Sequence, residues 1–235
     1  GPNELAHPLS VAGVQGRLIQ LRPQQRLAHS MISGGSLLAV HDGVLAIDAM
    51  SSKSERQILD FLMPGDIVFE AACLSPHKVS LRAITIASLT HAVGAEMSHT
   101  DSAPQFWQFL FEQAEAQLAR ANIHQLIIGH LDAEARVVSF LLALTLRSSG
   151  YLRSGMLLSL PMSRDDIADY VAVNHDTLSR VMMRLETLGL IQRINRHTVR
   201  IANIEKLSQL TPIWGMLSVV LERQAALRGL GSDSP

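Results

Sequence analysis

The chain has 235 residues, of which 47% are hydrophobic and 17% charged, and its formal net charge is −1. This length allows one large or two medium packed domains, and the near-neutral charge gives no indication of general polyanion binding. A single cysteine cannot form an internal disulfide framework or a site that needs several thiolates. The sequence has no 18-residue apolar run and no signal pattern, so we expect no membrane partner. We therefore expect a cytoplasmic protein.

The first part of the chain, from about Leu18 to Val93, consists of short apolar runs separated by turn residues. The apolar runs recur at intervals of about ten residues and are separated by breaks such as His41-Asp42-Gly43 and Pro64-Gly65-Asp66, which is typical of an antiparallel barrel or jelly roll. The predicted strands are LIQL, LLAV, VLAI, QILDFL, IVFEA and ITIASL. We therefore predict an antiparallel β-roll, cupin-like in outline, over residues 1–102.

Residues 103–147 are predicted to be helical, with a break near Gly129-His130 before a second helix. One face of the first helix repeats at alternating spacings of three and four residues, which suits a parallel coiled coil between two subunits. Packing of this face on the chain's own barrel is the alternative. The residues of this predicted dimer seam are Phe111, Ala114, Leu118, Ala121, Gln125 and Ile128.

Residues 160–200 predict two short helices joined by a tight turn and followed by a β-hairpin, the layout of a winged helix-turn-helix. Ser163 and Asp166 approximate a capping box at the start of the first helix. Asn174 is placed to cap the second helix and Gly189 to end it. The second helix carries an apolar stripe, namely Leu178, Val181, Met182, Leu185 and Leu188. We predict an α+β fold, with a DNA-binding domain over 148–211 and a C-terminal helix and tail over 212–235.

The opposite face of the second helix is polar, as a DNA recognition helix requires. Arg180 has the fork that binds guanine O6 and N7, Asp176 can accept from cytosine N4, and Ser179 can approach a base edge or a thymine methyl. Phosphate or positioning contacts are predicted for Arg164, His175, Thr177, Arg184 and Arg196. An ordinary helical hairpin with a solvated polar face is the alternative, but it leaves the arginine-bearing β-hairpin unexplained.

Three passages together resemble the cyclic-AMP-receptor-protein/FNR family of bacterial transcription regulators. They are RQILDFLMPGDIVFEA, LDAEARVVSFLLALTLR and LPMSRDDIADYVAVNHDTLSRVMMRLETLGLI, the last two being most similar to the FNR/FixK branch. The resemblance implies a homodimer that binds a palindrome of TTGA-type half-sites, with RNA polymerase as a further partner. The Glu-x-x-Ser-Arg pattern of that branch stands here as Asp176 to Arg180. Asp176 is one methylene shorter than Glu, which leaves the base preference at its position open.

Many members of this family bind an effector in the β-roll. The residues of this chain argue against two of these effectors, a cyclic nucleotide and an iron–sulfur cluster. Cyclic-nucleotide binders use a Gly-Glu pair followed by Arg-Ser, whereas this chain has Phe69-Glu70 and then Pro76-His77-Lys78-Val79. An FNR-type iron–sulfur cluster needs four cysteines, and only Cys73 is present, in an apolar stretch that favours a buried inert thiol.

The ten histidines leave a haem-dependent gas-sensing regulator of the same family as the alternative function. No two of them have the spacing of a paired metal site, although His124 and His130 lie near the dimer helix. A cupin-like small-molecule enzyme is a third hypothesis, but the barrel histidines that it would need are dispersed, at His29, His41, His77 and His91. We expect no enzyme activity, no metal and no cofactor, and a regulator controlled by its abundance.

Overall fold

The computed structural model describes residues 16–27, 36–50, 55–69, 79–92 and 103–227. The chain divides into two compact units, residues 1–118 and residues 119–235. Several residues weighed above lie outside the described residues, namely His7, His29, Glu70, Cys73, Pro76, His77, Lys78 and His99.

The first unit is an antiparallel β-roll made of two four-stranded sheets, which confirms the predicted fold class. One sheet has the order β1-β8-β3-β6, and its strands are Arg17–Leu21, Ala87–Ala92, Leu37–Asp42 and Ile67–Phe69. The other has the order β2-β7-β4-β5, and its strands are Arg26–Leu27, Val79–Ala83, Leu45–Met50 and Arg56–Leu62.

The hydrophobic core of this unit is formed by apolar side chains of both sheets. Side chains alternate along a strand, so Leu38 and Val40 join this core while Leu37 and Ala39 of the same strand point to the opposite face. On that opposite face they pack against Phe106 and Leu110, at the start of helix α1 (Ala103–His130). One side of α1 is therefore used for packing within its own chain.

Glycines close two of the turns that the sequence predicts. Gly43, between β3 and β4, has φ +82°, and a Cβ there would collide with the carbonyl oxygen of Ile86. Gly65, between β5 and β6, has φ +89°, and the next residue, Asp66, accepts the backbone N–H of Met63 at 2.7 Å. Both turns require the left-handed backbone that glycine adopts without a steric penalty.

Only the second half of the predicted strand ITIASL, residues 84–89, is confirmed, because β8 begins at Ala87. The chain bends over residues 84–86, and the unpredicted segment VSLRA forms β7 immediately before this bend. The backbone N–H groups of Ile84 and Thr85 both donate to the carbonyl of Val44, whose own N–H donates to Thr85 Oγ1. The β-branched residues gave a strand signal, but these long-range hydrogen bonds hold them in a turn.

The second unit contains the end of α1 and the helices and wing that follow. Helix α2 (Ala133–Ser149) begins at Asp132, whose side chain accepts the N–H of Ala135, and it ends before Gly150. The structure confirms the two predicted short helices, α3 and α4, and the predicted C-terminal helix, α6. The short elements β9 and α5 were not predicted. The elements after α2 are β9 (Leu157–Ser159), α3 (Arg164–Val171), α4 (His175–Thr187), β10 (Ile191–Asn195), β11 (Thr198–Ile201), α5 (Ile204–Ser208) and α6 (Trp214–Leu227).

Strands β10, β11 and β9 form a three-stranded antiparallel sheet in that order, which is the wing. Helix α2 is buried along most of its length because it packs against α3, α4, α5 and α6. This packing makes α2 the support on which the two short helices rest.

Candidate nucleic-acid interface

Helix α3 begins with the predicted capping box. The N–H of Asp166 donates to Ser163 Oγ at 3.0 Å, and the N–H of Ser163 donates to Asp166 Oδ2 at 3.1 Å. These bonds satisfy two backbone donors that the first helical turn would otherwise leave unpaired. Ile167, Ala168 and Val171 are buried and form the inner face of α3.

Removing this cap is expected to destabilise the second unit. Ser163→Ala should lower the free energy of unfolding by about 1 kcal/mol, because the Asp166 N–H loses its acceptor. Ser163→Asp, which restores an acceptor at the same place, should recover most of the loss. Urea denaturation of the two variants measures the difference, and equal stability of Ser163→Ala and wild type would contradict the role of the cap.

The turn between α3 and α4 is fixed by a left-handed residue and by an arginine from α2. Ala172 has φ +52°, and its carbonyl accepts from Arg136 Nη1 at 3.0 Å. Arg136 Nε also donates to the carbonyl of Leu131 at 2.7 Å. Asn174 Oδ1 accepts the N–H of Thr177 at 2.7 Å, which confirms the predicted cap of α4. Helix α4 therefore starts from a turn that is held by hydrogen bonds to α2 and by its own cap.

The buried stripe of α4 is shorter than predicted. Leu178, Val181, Met182 and Leu185 are buried, but Leu188 is 54% exposed. The helix ends at Thr187, so Leu188 is its C-cap residue and no longer follows the helical repeat. Gly189 follows in the left-handed conformation, with φ +67°, as the sequence predicted.

The three predicted base-reading residues share the surface of α4 that faces away from this stripe. Asp176 and Arg180 are exposed and Ser179 is partly exposed. Arg180 Nε lies 3.4 Å from the carbonyl of Asp176, and its Nη2 lies 3.3 Å from Thr177 Oγ1. These bonds are long and therefore weak, so little holds the guanidinium against its own helix.

The predicted phosphate-contacting residues lie on three different elements. His175 is exposed and Thr177 partly exposed in the first turn of α4, and Arg196 is exposed in the turn between β10 and β11. Arg164, at the start of α3, is partly buried; burial and the charge of Arg193 lower its guanidinium pKa. Such sites fit the positioning of a DNA backbone across a helix and a wing.

Arg184, the fifth predicted phosphate residue, is in an ion pair. Its Nε donates to Glu134 Oε2 at 2.8 Å, and Glu134 lies in the first turn of α2. Around the helix, Arg184 lies to the side of the base-reading residues and towards α2. The structure thus gives Arg184 a partner that competes with a phosphate.

We expect Glu134→Gln to raise DNA affinity about two- to fivefold, for target and scrambled duplexes alike, because Arg184 would lose its competing carboxylate. Fluorescence anisotropy at constant salt measures the change. The gain should vanish when Glu134→Gln is made together with Arg184→Gln. A gain that persists in the double variant would show that Arg184 does not contact the backbone.

The predicted dimer seam is exposed along α1. Phe111, Ala114, Leu118, Ala121 and Gln125 are exposed, and Ile128 is partly exposed, while Ile123 and Ile127 on the other side are buried. Trp107, which the sequence reading missed, is also exposed and lies four residues before Phe111, so it continues the same spacing. The spacing itself could have identified it.

Within the ranges that the structure describes, no three His, Cys, Asp or Glu side chains come close enough to hold a metal ion. Nor does any helix in those ranges have the length and apolar character needed to cross a membrane.

Comparison with known proteins agrees with this geometry. The Crp-like helix-turn-helix domain matches residues 135–210. The nitrogen fixation regulation protein FixK of Rhizobium meliloti is 34% identical over 172 residues, which cover 73% of this chain and 76% of that relative. The chain belongs to the cyclic-AMP-receptor-protein/FNR family, in its FixK branch. It is a DNA-binding transcription regulator of that family.

Other relatives of the family support the same placement. FixK of Bradyrhizobium diazoefficiens is 32% identical over 162 residues, which cover 68% of each chain. The solved structure of FixK2 from Bradyrhizobium japonicum has a TM-score of 0.70 at 24% identity and covers 84% of this chain and 98% of that one. At that identity the solved structure supports the fold alone.

The sequence did not predict the contacts that α1 and α2 make with the helix-turn-helix. Arg136 and Glu134 reach it from α2, and His124 in α1 stacks on Tyr170 with ring centroids 4.1 Å apart. His124 Nε2 also lies 2.7 Å from the carbonyl of Tyr170. Local patterns carry no signal for such pairs, because their members lie tens of residues apart.

Proposed function

We propose that the chain acts as a homodimer that reads a palindromic DNA site with TTGA-type half-sites and needs no small ligand. The observation that carries this proposal is the outer face of α4, where Asp176, Ser179 and Arg180 lie opposite the buried stripe. In this proposal residues 1–102 form the β-roll, 103–147 the dimerisation region, 148–211 the DNA-binding domain and 212–235 a C-terminal helix and tail. RNA polymerase is the further proposed partner.

The exposed seam on α1 supports the homodimer. A row of apolar side chains that alternates by three and four residues is costly to leave in water, and a second copy of the same helix can cover it. A two-fold dimer presents two identical recognition helices, and two-fold symmetry in the protein requires a palindrome in the DNA.

The exposed outer face of α4 supports a site related to TTGA. Asp176 leaves the base at one position of this site open. Arg180 has a planar fork that binds guanine in the major groove through two hydrogen bonds. The shorter carboxylate of Asp176 fits either a water-mediated bond to the base or a different base at that position.

The β-roll offers support for a regulator that does not use cyclic AMP. Arg82, in β7, is buried, and its Nε and Nη2 donate to the two carboxylate oxygens of Asp48 at 2.7 and 3.1 Å. Its Nη1 donates to Gln24 Oε1 at 3.2 Å. A guanidinium bound in this way has its donors engaged by protein groups and is not available to a cyclic phosphate.

Anisotropy of the purified protein on a TTGAT-N4-ATCAA duplex and on a scrambled duplex, over a salt series, tests the proposal. Tight and selective binding without any additive is the expected result. Equal binding of the two duplexes would contradict the sequence-specific function, and selectivity that appears only after an additive would contradict ligand independence.

Haem-dependent control is the second candidate, and one observation favours it. The Nε2 atom of His91, in β8, is buried and has no hydrogen-bond partner among the described residues. Two other described histidines are engaged, since His41 Nε2 lies 2.6 Å from Thr90 Oγ1 and His124 Nε2 lies 2.7 Å from the carbonyl of Tyr170. If haem binds, His91 is the candidate ligand that the described part of the chain offers. An absorption band in the visible spectrum that disappears in His91→Ala would support this candidate over the ligand-free one.

A further inference from the structure

Met183 is an apolar residue in the middle of an otherwise polar surface of α4. Its side chain is 64% exposed, and it follows Arg180 by one helical turn. Single exposed apolar residues are common on protein surfaces, so exposure alone assigns no role to Met183. Its position around the helix is the informative property.

A helix turns about 100° per residue, so the angular position of Met183 follows from its number. Met183 lies roughly 150° around the helix from Leu178 and Leu185, which are buried. It lies within roughly 60° of Asp176, Ser179 and Arg180. Met183 is therefore central to the surface that the proposed function presents to base edges.

The length of the helix places Met183 over a neighbouring base pair. With a rise of about 1.5 Å per residue, Met183 lies about 4.5 Å further along α4 than Arg180. Successive base pairs are about 3.4 Å apart, so this distance corresponds to one or two steps. A methionine side chain is long and flexible enough to reach the floor of the groove from there.

We propose that Met183 is a specificity-determining residue that contacts the C5 methyl group of a thymine one or two base pairs from the base read by Arg180. The thymine methyl is the apolar group that the major groove presents, and it is the natural partner of an apolar side chain. This inference rests on the proposed function, because it requires α4 to lie in the major groove. It adds an apolar contact to thymine beside the polar contacts of α4, among which Ser179 was predicted to approach a base edge or a thymine methyl.

Replacing thymine by deoxyuridine removes this methyl group and nothing else. In the TTGAT-N4-ATCAA duplex, each thymine position of the half-site is changed in turn, symmetrically in both halves, and anisotropy is measured for wild type and Met183→Ala. At one position wild type should lose about fourfold in affinity for each buried methyl group, and therefore about 15-fold for the two methyl groups that the symmetric change removes. Met183→Ala should bind the unmodified duplex more weakly and show no further loss with deoxyuridine there.

Met216→Ala is the matched control, because Met216 is also exposed (51%) and also lies on a helix of the second unit, α6. This variant should keep the wild-type response to deoxyuridine. Circular dichroism of each variant confirms that the fold is retained.

The failures of the two proposals are distinguishable. If wild type prefers the target over the scrambled duplex, but no thymine shows a methyl effect that Met183→Ala abolishes, the inference on Met183 is wrong and the proposed function stands. If wild type does not discriminate between the two duplexes, both are wrong.

Discussion

Arg180→Ala should reduce the preference for the target over a scrambled duplex by about 1–3 kcal/mol, which is five- to 150-fold. The guanidinium of Arg180 can make two hydrogen bonds to one guanine, and the structure leaves it exposed with two weak contacts to its own helix. Arg184, the other arginine of α4, is instead ion-paired to Glu134. Affinity for scrambled DNA should change far less, because base contacts add little to nonspecific binding. Anisotropy titrations on both duplexes give the ratio.

Arg196→Ala is the matched control for this experiment. Arg196 is exposed in the turn of the wing, away from α4, and its predicted partner is a phosphate. Its loss should weaken binding to both duplexes equally and lower the slope of log affinity against log salt by about 0.9. If Arg180→Ala, like Arg196→Ala, leaves the ratio of target to scrambled affinity unchanged, Arg180 does not take part in base recognition.

Leu118→Glu should dissociate the proposed dimer. Leu118 is 62% exposed in the single chain and lies in the middle of the seam, so a dimer would bury two copies of it. Losing two buried leucines costs about 3 kcal/mol or more, so the dimer dissociation constant should rise more than 100-fold. Sedimentation equilibrium measures it directly.

Val219→Glu introduces the same charge at an apolar residue of similar exposure, 66%, on α6. This control should remain a dimer, since Val219 lies outside the seam. If Leu118→Glu remains a dimer as well, the seam is not the interface. If both variants become monomeric, the loss is not specific to the seam.

The parts of the fold that could be predicted are those with a local signal. The caps of α3 and α4 are determined by Ser163, Asp166 and Asn174, residues within three positions of the groups they bind. The seam on α1 and the stripe on α4 follow from helical periodicity. Such signals are properties of a few consecutive turns, so they are visible in the sequence.

The parts that could not be predicted depend on contacts between distant segments. The turn at residues 84–86 is held by Val44, and the turn at Ala172 is held by Arg136. The same is true of the candidate site, because the ion pair between Glu134 and Arg184 is visible only once α2 and α4 are packed together. Short elements such as β9 and α5 have too few residues to show a period.

The central claim, that two copies of this chain read two half-sites, is tested most directly by scrambling one half of the TTGAT-N4-ATCAA duplex and leaving the other intact. A symmetric dimer should lose more than about tenfold in affinity in anisotropy titrations at physiological salt, because each mismatched base pair costs about 1–3 kcal/mol. The loss should be the same whichever half is scrambled. Unchanged affinity for the half-scrambled duplex would contradict the account.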